Sequence, residues 1–125
     1  MDWKLIPAEL VEKAHDLVLN SGELQGRARD KSLEGALARV DNRVHYGLVC
    51  DVHDLAAAYA AAIAQGHCFN DANKRTAYRI MLMCLRMNGG TGPRATVEET
   101  GQQIIALAQG HIDDGQLAEW LRERA

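Results

Sequence analysis

The sequence predicts an all-α fold, a compact single domain of six helices over residues 1–125. Six segments carry apolar residues at the spacing of an amphipathic helix, and each is bounded by capping or helix-stopping residues. Of the 125 residues, 47% are hydrophobic and 25% are charged, the proportions of an ordinary globular domain. A chain of this length can bury one hydrophobic core without disulfides or a structural metal.

The first helix is predicted to begin at Pro7 and to end near Val18, because the fixed φ of proline and its missing N–H suit the opening position of a helix. The residues expected to face the core are Leu10, Val11, Ala14, Leu17 and Val18. Ser32 is expected to cap a second helix that ends near Tyr46 and Gly47. The segment 47–51 is the one place where the sequence tolerates extended structure.

The fourth helix is predicted to be central and buried on most sides. The third helix runs from about Asp51 to Gln65, and Gly66 is expected to terminate it at the C′ position. The fourth opens between Asp71 and Asn73 and continues to about Asn88. Its inward stripe consists of Ala77, Ile80, Met81, Cys84 and Leu85.

Two shorter helices complete the predicted fold. Thr96 and Glu99 form a capping-box pattern at the start of the fifth helix, which Gly110 ends. Asp113 or Asp114 is expected to cap the sixth. The residues expected to face inward are Val97, Ile104, Ile105 and Ala108 in the fifth helix and Leu117, Ala118 and Leu121 in the sixth.

Charge and cysteine content disfavour several classes of protein. The formal net charge is −3 and the isoelectric point is about 5.9, so no direct nucleic-acid partner is expected. Cys50, Cys68 and Cys84 are odd in number and lack metal-ligand spacing, which favours reduced thiols in a cytoplasmic protein. Every apolar stretch is too short to span a bilayer, so we expect a soluble protein that does not associate with membranes.

The residues with chemical potential are concentrated in 67–79 (HCFNDANKRTAYR), where the third helix gives way to the fourth. The first N–H groups of a helix lack intrahelical partners, and the helix dipole favours negative charge there. Lys74 would oppose that dipole unless an anion lies between them. We therefore expect the N–H groups of Ala72, Asn73 and Lys74 to bind phosphate, with Lys74 supplying positive charge.

Two residues beside this anion site carry acid–base and metal-binding potential. His67 lies in a loop, and because histidine ordinarily titrates near neutral pH it can act as a general base. The alternative is that His67 caps the preceding helix or packs against Phe69. Asp71 can be an oxygen ligand for Mg²⁺ or, alternatively, the N-cap of the fourth helix.

Arg75 and Arg79 are four residues apart, so both can reach one flank of the same anion site. Their alternative role is a solvated face with extended stems. Phe69 is expected to turn inward as the hydrophobic anchor of the loop. Cys68 is expected to be a spacer and not a nucleophile, because no Cys/His pair with an orienting third group is evident nearby.

The run HCFNDANKR resembles the signature of the Fic/Doc superfamily, His-x-Phe-x-Asp/Glu-Gly/Ala-Asn-Gly/Lys-Arg. Seven defined positions within nine residues match: His67, Phe69, Asp71, Ala72, Asn73, Lys74 and Arg75. The chain length and the six predicted helices also resemble the small Doc (death-on-curing) toxins, so the likeness covers essentially the whole chain.

This resemblance implies an ATP- and Mg²⁺-dependent toxin that transfers the γ-phosphate of ATP to a threonine of elongation factor Tu and so inhibits translation. By resemblance His67 deprotonates the acceptor hydroxyl, Asp71 holds Mg²⁺, and Lys74 neutralises the phosphates. The residues expected to bind ATP are Ala72, Asn73, Lys74, Arg75 and Arg79. Such toxins are expected to be neutralised by a Phd-like antitoxin, whose C-terminal segment folds as a helix in a groove of the toxin.

Three positions keep alternatives open. Fic enzymes that transfer AMP usually have glycine where this chain has Lys74, so a protein adenylyltransferase is the second interpretation. Doc-like sequences can carry arginine where this chain has Gln65, which leaves a catalytically silent binding module as the third. Fic transferases carry a second arginine where this chain has Tyr78. Arg79, one residue later, is hypothesised to compensate for the arginine missing at Gln65.

Overall fold

Residues 2–125, described here by a computed structural model, form six α-helices, and the all-α prediction is confirmed. The helices are α1 (Ala8–Val18), α2 (Leu33–His45), α3 (Val52–Gly66), α4 (Asn73–Met87), α5 (Val97–Ala108) and α6 (Asp114–Glu123). Over these residues no helix is long and apolar enough to cross a membrane.

The centre of the fold is the pair α3 and α4. α3 packs against α2, α4, α5 and α6, while α4 also contacts α1 and α5. The alanines of α3 are mostly buried, and their small side chains allow the neighbouring helices to approach closely. All five residues predicted to face inward from α4 are buried, which confirms its central position. The core also contains Tyr59, whose hydroxyl oxygen accepts a hydrogen bond from the Ile6 N–H (2.8 Å). Burial raises the pKa of this hydroxyl to about 12.

The predicted caps are largely confirmed. The Ser32 hydroxyl accepts from the Gly35 N–H at the start of α2, and the Thr96–Glu99 capping box opens α5. Of the two candidate aspartates, Asp113 caps α6, where it forms a second capping box with Gln116. These interactions span three residues, so local sequence is enough to specify them.

Three predicted helix positions are wrong. α1 begins at Ala8, and Pro7 precedes it with an extended backbone. Leu17 and Val97 were expected to face inward, but they are 75% and 77% exposed. Helical spacing identifies an apolar stripe, yet a residue at the edge of that stripe is buried only where a neighbouring element covers it. The buried face of α1 is rotated toward His15, which is almost fully enclosed.

The segment 47–51 is irregular, and the possibility of extended structure there is not realised. It begins at Gly47, whose φ is +70°, and ends at Asp51, the N-cap of α3. The isolated antiparallel bridge of the described residues instead joins Arg27 to Phe69. This bridge attaches the long connection between α1 and α2 to the loop between α3 and α4.

An ion pair between Asp51, the N-cap of α3, and Arg122 of α6 predicts how the stability of the fold responds to acid. The Arg122 guanidinium donates to Asp51 (Nε to Oδ2, 2.8 Å) and lowers the pKa of that carboxyl from 3.8 to about 2. Because the pKa in the folded state is depressed, the stabilisation is present above about pH 4 and is lost as the pH falls toward 2. The pair is partly exposed, so we expect a contribution of about 1 kcal/mol.

Asp51→Asn is expected to lower the free energy of unfolding by about 1 kcal/mol at pH 7 and to flatten its decline below pH 4. Asparagine still caps α3, so the change removes the charge and retains an acceptor for the Asp54 N–H. Urea unfolding at pH 7 and pH 3 measures both effects. The control is Glu119→Gln, because Glu119 pairs with the same arginine at an exposed position. Equal losses at the two pH values would contradict the assignment.

Candidate active site

The loop between α3 and α4 is bounded by two residues with left-handed backbone conformation. They are His67 (φ +48°) and Ala72 (φ +65°), and the other positive φ values among residues 2–125 belong to glycines. This conformation costs a residue with a Cβ about 1–2 kcal/mol. Such strain persists only where the surrounding structure enforces it, and it is concentrated at functional sites.

Gly66 does not terminate α3 in the way the sequence predicts. It is the last helical residue, and the left-handed position falls one residue later, on His67. A Cβ on Gly66 would lie 3.0 Å from the Cys68 sulfur, so a larger residue here would require the Cys68 side chain to shift. Cys68 itself is buried, and burial raises the pKa of its thiol. A raised thiol pKa disfavours the thiolate, as expected for a spacer.

Phe69, which is buried as predicted, anchors the loop through contacts with α4 and with α1. The Asn73 side chain accepts from the Phe69 N–H (3.1 Å) and donates to the Phe69 carbonyl (2.9 Å). The histidine that packs on the Phe69 ring is His15, with ring centroids 3.9 Å apart. His67 is exposed and occupies the C-cap position of α3, as the capping alternative predicts, and its role as a general base stays a prediction.

Asp71 is half-buried and does not cap α4, so the N-cap interpretation is wrong. The capping position is occupied by Ala72, and the Asp71 Oδ2 atom accepts a hydrogen bond from the Leu24 N–H (2.8 Å). A carboxylate has further lone pairs beyond this one. One carboxylate, with phosphate and water oxygens completing the shell, is a donor set that suits Mg²⁺. Asp71 therefore fits the part of a single protein ligand for Mg²⁺, and its role as a metal ligand stays a prediction.

The N-terminus of α4 presents hydrogen-bond donors beside this carboxylate. The first hydrogen bond to the cap runs from the Thr76 N–H to the Ala72 carbonyl (3.0 Å). The N–H groups of Asn73, Lys74 and Arg75 precede it in the first turn, where helical N–H groups lack intrahelical acceptors. The Lys74 side chain is exposed. This arrangement can stabilise an anion by both hydrogen bonds and charge.

The Arg75 side chain is partly exposed, and its guanidinium is held by two partners in the protein. Its guanidinium donates to the Val18 carbonyl and forms an ion pair with Glu23, both before α2 in the chain. The hydrogen bond with Glu23 raises the pKa of Arg75, and the same bond lowers the pKa of Glu23. These two hydrogen bonds use two of the five guanidinium donors, and the role of Arg75 in binding ATP stays a prediction.

Arg75 and Arg79 line one groove of about 460 Å³ together with Lys74, as their spacing predicts. The remaining wall is mostly apolar and consists of Val18, Tyr78, Leu82, Val97, Gly101, Ile104 and Ile105. Gln65 lines a different cavity with Arg39 and Arg43, and its side-chain amide donates to the Leu107 carbonyl (3.0 Å). The hypothesis that Arg79 compensates for Gln65 stays a prediction.

Three residues that contact the site were not found by sequence reasoning. They are His15, Glu23 and Leu24, which all precede α2. His15 carried a detectable signal, because it is four residues from Val11 and so falls on the buried face of α1. Glu23 and Leu24 belong to an aperiodic segment and carried none.

These features place the chain among known proteins. The Fic/DOC family model matches residues 5–85, and the chain belongs to the Fic/DOC family. The chain is also similar to the protein named Protein kinase doc of Escherichia phage P1. The two are 34% identical over 116 residues, which cover 93% of this chain and 90% of the relative. The family resemblance inferred from the motif is thereby confirmed.

Proposed function

We propose that this protein is a Doc-type toxin with protein kinase activity, which moves the γ-phosphate of ATP to a hydroxyl of a translation factor. The observation that carries the proposal is the geometry of the loop between α3 and α4. An exposed His67 stands at one end, and the N–H groups and Lys74 of α4 stand at the other. The similarity to a protein named as a kinase supports the reaction class. Family resemblance supports a threonine of elongation factor Tu as the acceptor.

In this proposal His67 accepts the proton of the attacking hydroxyl. The hydroxyl oxygen forms a bond to the γ-phosphorus, the bond from that phosphorus to the β–γ bridging oxygen breaks, and ADP leaves. The N–H groups of Asn73 and Lys74 and the Lys74 ammonium hold the phosphoryl oxygens and offset their charge. The two hydrogen bonds between the Asn73 side chain and the Phe69 backbone join the loop to the N-terminus of α4.

Asp71 is the residue that would hold Mg²⁺. When bound, the ion offsets phosphate charge and orients the phosphates. The Leu24 N–H contributes by fixing the direction of the Asp71 carboxylate.

Asp71→Asn is expected to raise the Mg²⁺ concentration for half-maximal transfer by at least about tenfold, since loss of even an outer-shell partner costs 10- to 100-fold. The melting temperature is expected to change little, because the asparagine oxygen can still accept from Leu24. Magnesium titrations of the initial rate test this, with Asp41→Asn as the control at an exposed aspartate. An unchanged magnesium dependence would remove Asp71 from the metal site.

We also propose that the groove between α4 and α5 receives a helical segment of a Phd-like antitoxin. Its wall is mainly apolar, which suits the apolar face of an amphipathic helix. Lys74 and Arg79 line the same groove and would attract acidic residues of that segment. An antitoxin bound there would cover the phosphate-binding end of α4 and so block transfer.

Leu82→Glu is expected to weaken binding of the antitoxin segment by about tenfold or more, because it places a charge in the apolar wall. Leu48→Glu is the matched control, since Leu48 is 60% exposed and lies outside the groove. Calorimetric titration with the antitoxin peptide compares the two. Equal affinities for both variants would assign the antitoxin to another surface.

The proposed reaction is tested by intact-mass spectrometry of elongation factor Tu after incubation with the protein, ATP and Mg²⁺. A gain of one phosphoryl group supports the kinase, and a gain of one AMP would replace it with the adenylyltransferase alternative. The His67→Ala variant is run beside the unmodified protein. No gain with either protein would favour another target or a binding module without catalytic activity.

A further inference from the structure

His15 of α1 contacts two residues of the loop between α3 and α4, Phe69 and Asp71. Only 1% of its surface is exposed, although histidine is usually at least partly accessible. Its ring lies parallel to the Phe69 ring, with centroids 3.9 Å apart and an interplanar angle of 9°. The Nε2 atom is 2.8 Å from the Asp71 carbonyl oxygen. Since a carbonyl can only accept, Nε2 carries the hydrogen.

This hydrogen bond acts on a strained part of the backbone. The Asp71 carbonyl belongs to the peptide plane that joins Asp71 to Ala72, so its direction is linked to ψ of Asp71 and φ of Ala72. Ala72 holds a φ of +65°, a conformation that a residue with a Cβ adopts only under constraint. A buried donor on that carbonyl opposes rotation of the peptide plane toward an unstrained conformation.

The Asp71 carboxylate is on the residue whose carbonyl His15 holds. Its Oδ2 atom accepts from the Leu24 N–H, so the residue is fixed through its main chain by His15 and through its side chain by the preceding loop. An uncompensated change in ψ of Asp71 or φ of Ala72 would change the direction of the start of α4 relative to the Asp71 carboxylate. We propose that His15 is a positioning residue, which sets the orientation of Asp71 and of the N-terminus of α4 for phosphoryl transfer. The expected effect of His15 on the rate of transfer rests on the proposed kinase function. Its effect on the conformation of the loop can be tested without that function.

Two variants separate the hydrogen bond from packing. His15→Phe retains a ring against Phe69 and removes the donor, whereas His15→Gln retains an N–H near the position of Nε2. Val11→Ala is the control, because Val11 is also fully buried on α1 and its apolar side chain cannot form a hydrogen bond. We expect His15→Phe to lower kcat by at least tenfold relative to Val11→Ala with little change in KM for ATP. His15→Gln is expected to recover most of that loss.

Amide hydrogen exchange provides a readout that does not need activity. In His15→Phe the Leu24 and Phe69 amides, which report on Asp71 and on the loop, are expected to exchange at least tenfold faster than in Val11→Ala. Equal exchange and equal kcat in these two variants, or a glutamine variant no better than phenylalanine, would overturn the proposal. Absence of transfer by the unmodified protein would overturn the kinase function and leave the exchange result to decide the role of His15.

If His15→Phe does not fold, imidazole ¹⁵N NMR of the unmodified protein decides the structural part. A slowly exchanging hydrogen on Nε2 is the expected result. A hydrogen on Nδ1 instead would overturn the proposal.

Discussion

His67→Ala is expected to reduce phosphoryl transfer by roughly 10²- to 10⁴-fold, the usual contribution of a general base. The melting temperature is expected to stay within a few degrees of the unmodified protein. His67 is exposed, so its side chain contributes little packing. Alanine also has a Cβ, so the cost of the left-handed backbone is similar in both proteins. Initial rates and thermal unfolding followed by circular dichroism measure the two quantities.

His111→Ala is the matched control, because His111 is an exposed histidine in the turn after α5 and lies outside the loop between α3 and α4. It is expected to retain full activity. Equal activity in the two variants would remove His67 from the reaction and favour a binding module. A large fall in melting temperature for His67→Ala would show that the residue supports the loop structurally.

Leu85→Ala is expected to lower the free energy of unfolding by about 2 to 5 kcal/mol, because it removes a fully buried side chain from the central helix and leaves a cavity. Ile80, which is also fully buried in α4, is expected to behave in the same way when truncated to alanine. Urea unfolding measures the change as a shift of the transition midpoint at constant m-value.

The control for Leu85→Ala is Leu17→Ala, the same substitution at a helical residue that is 75% exposed. Surface substitutions of this kind usually change stability by less than about 0.5 kcal/mol. The difference between the two leucines therefore measures burial. A loss below about 1 kcal/mol at Leu85 would mean that α4 is not the centre of the core.

Local interactions account for what was predictable in the fold. The capping boxes at Thr96 and Asp113 join residues three apart, and the inward stripe of α4 repeats within one helix. Leu17 and Val97 show where this reasoning ends. Each continues an apolar stripe, but whether its position is covered depends on a neighbouring element that helical spacing does not specify.

In the candidate site, too, local features could be predicted from the sequence and long-range contacts could not. The sequence by itself determined the motif at 67–75, the helix that begins within it and the family to which the chain belongs, because the motif and the helix depend on residues close together in the chain. Only the tertiary structure decided which residues hold the motif in place. His15, Leu24 and Glu23 reach it across separations of 56, 47 and 52 residues. A hydrogen bond is specified by the position and direction of its two partners, and at such separations both are set by the packing of the whole core.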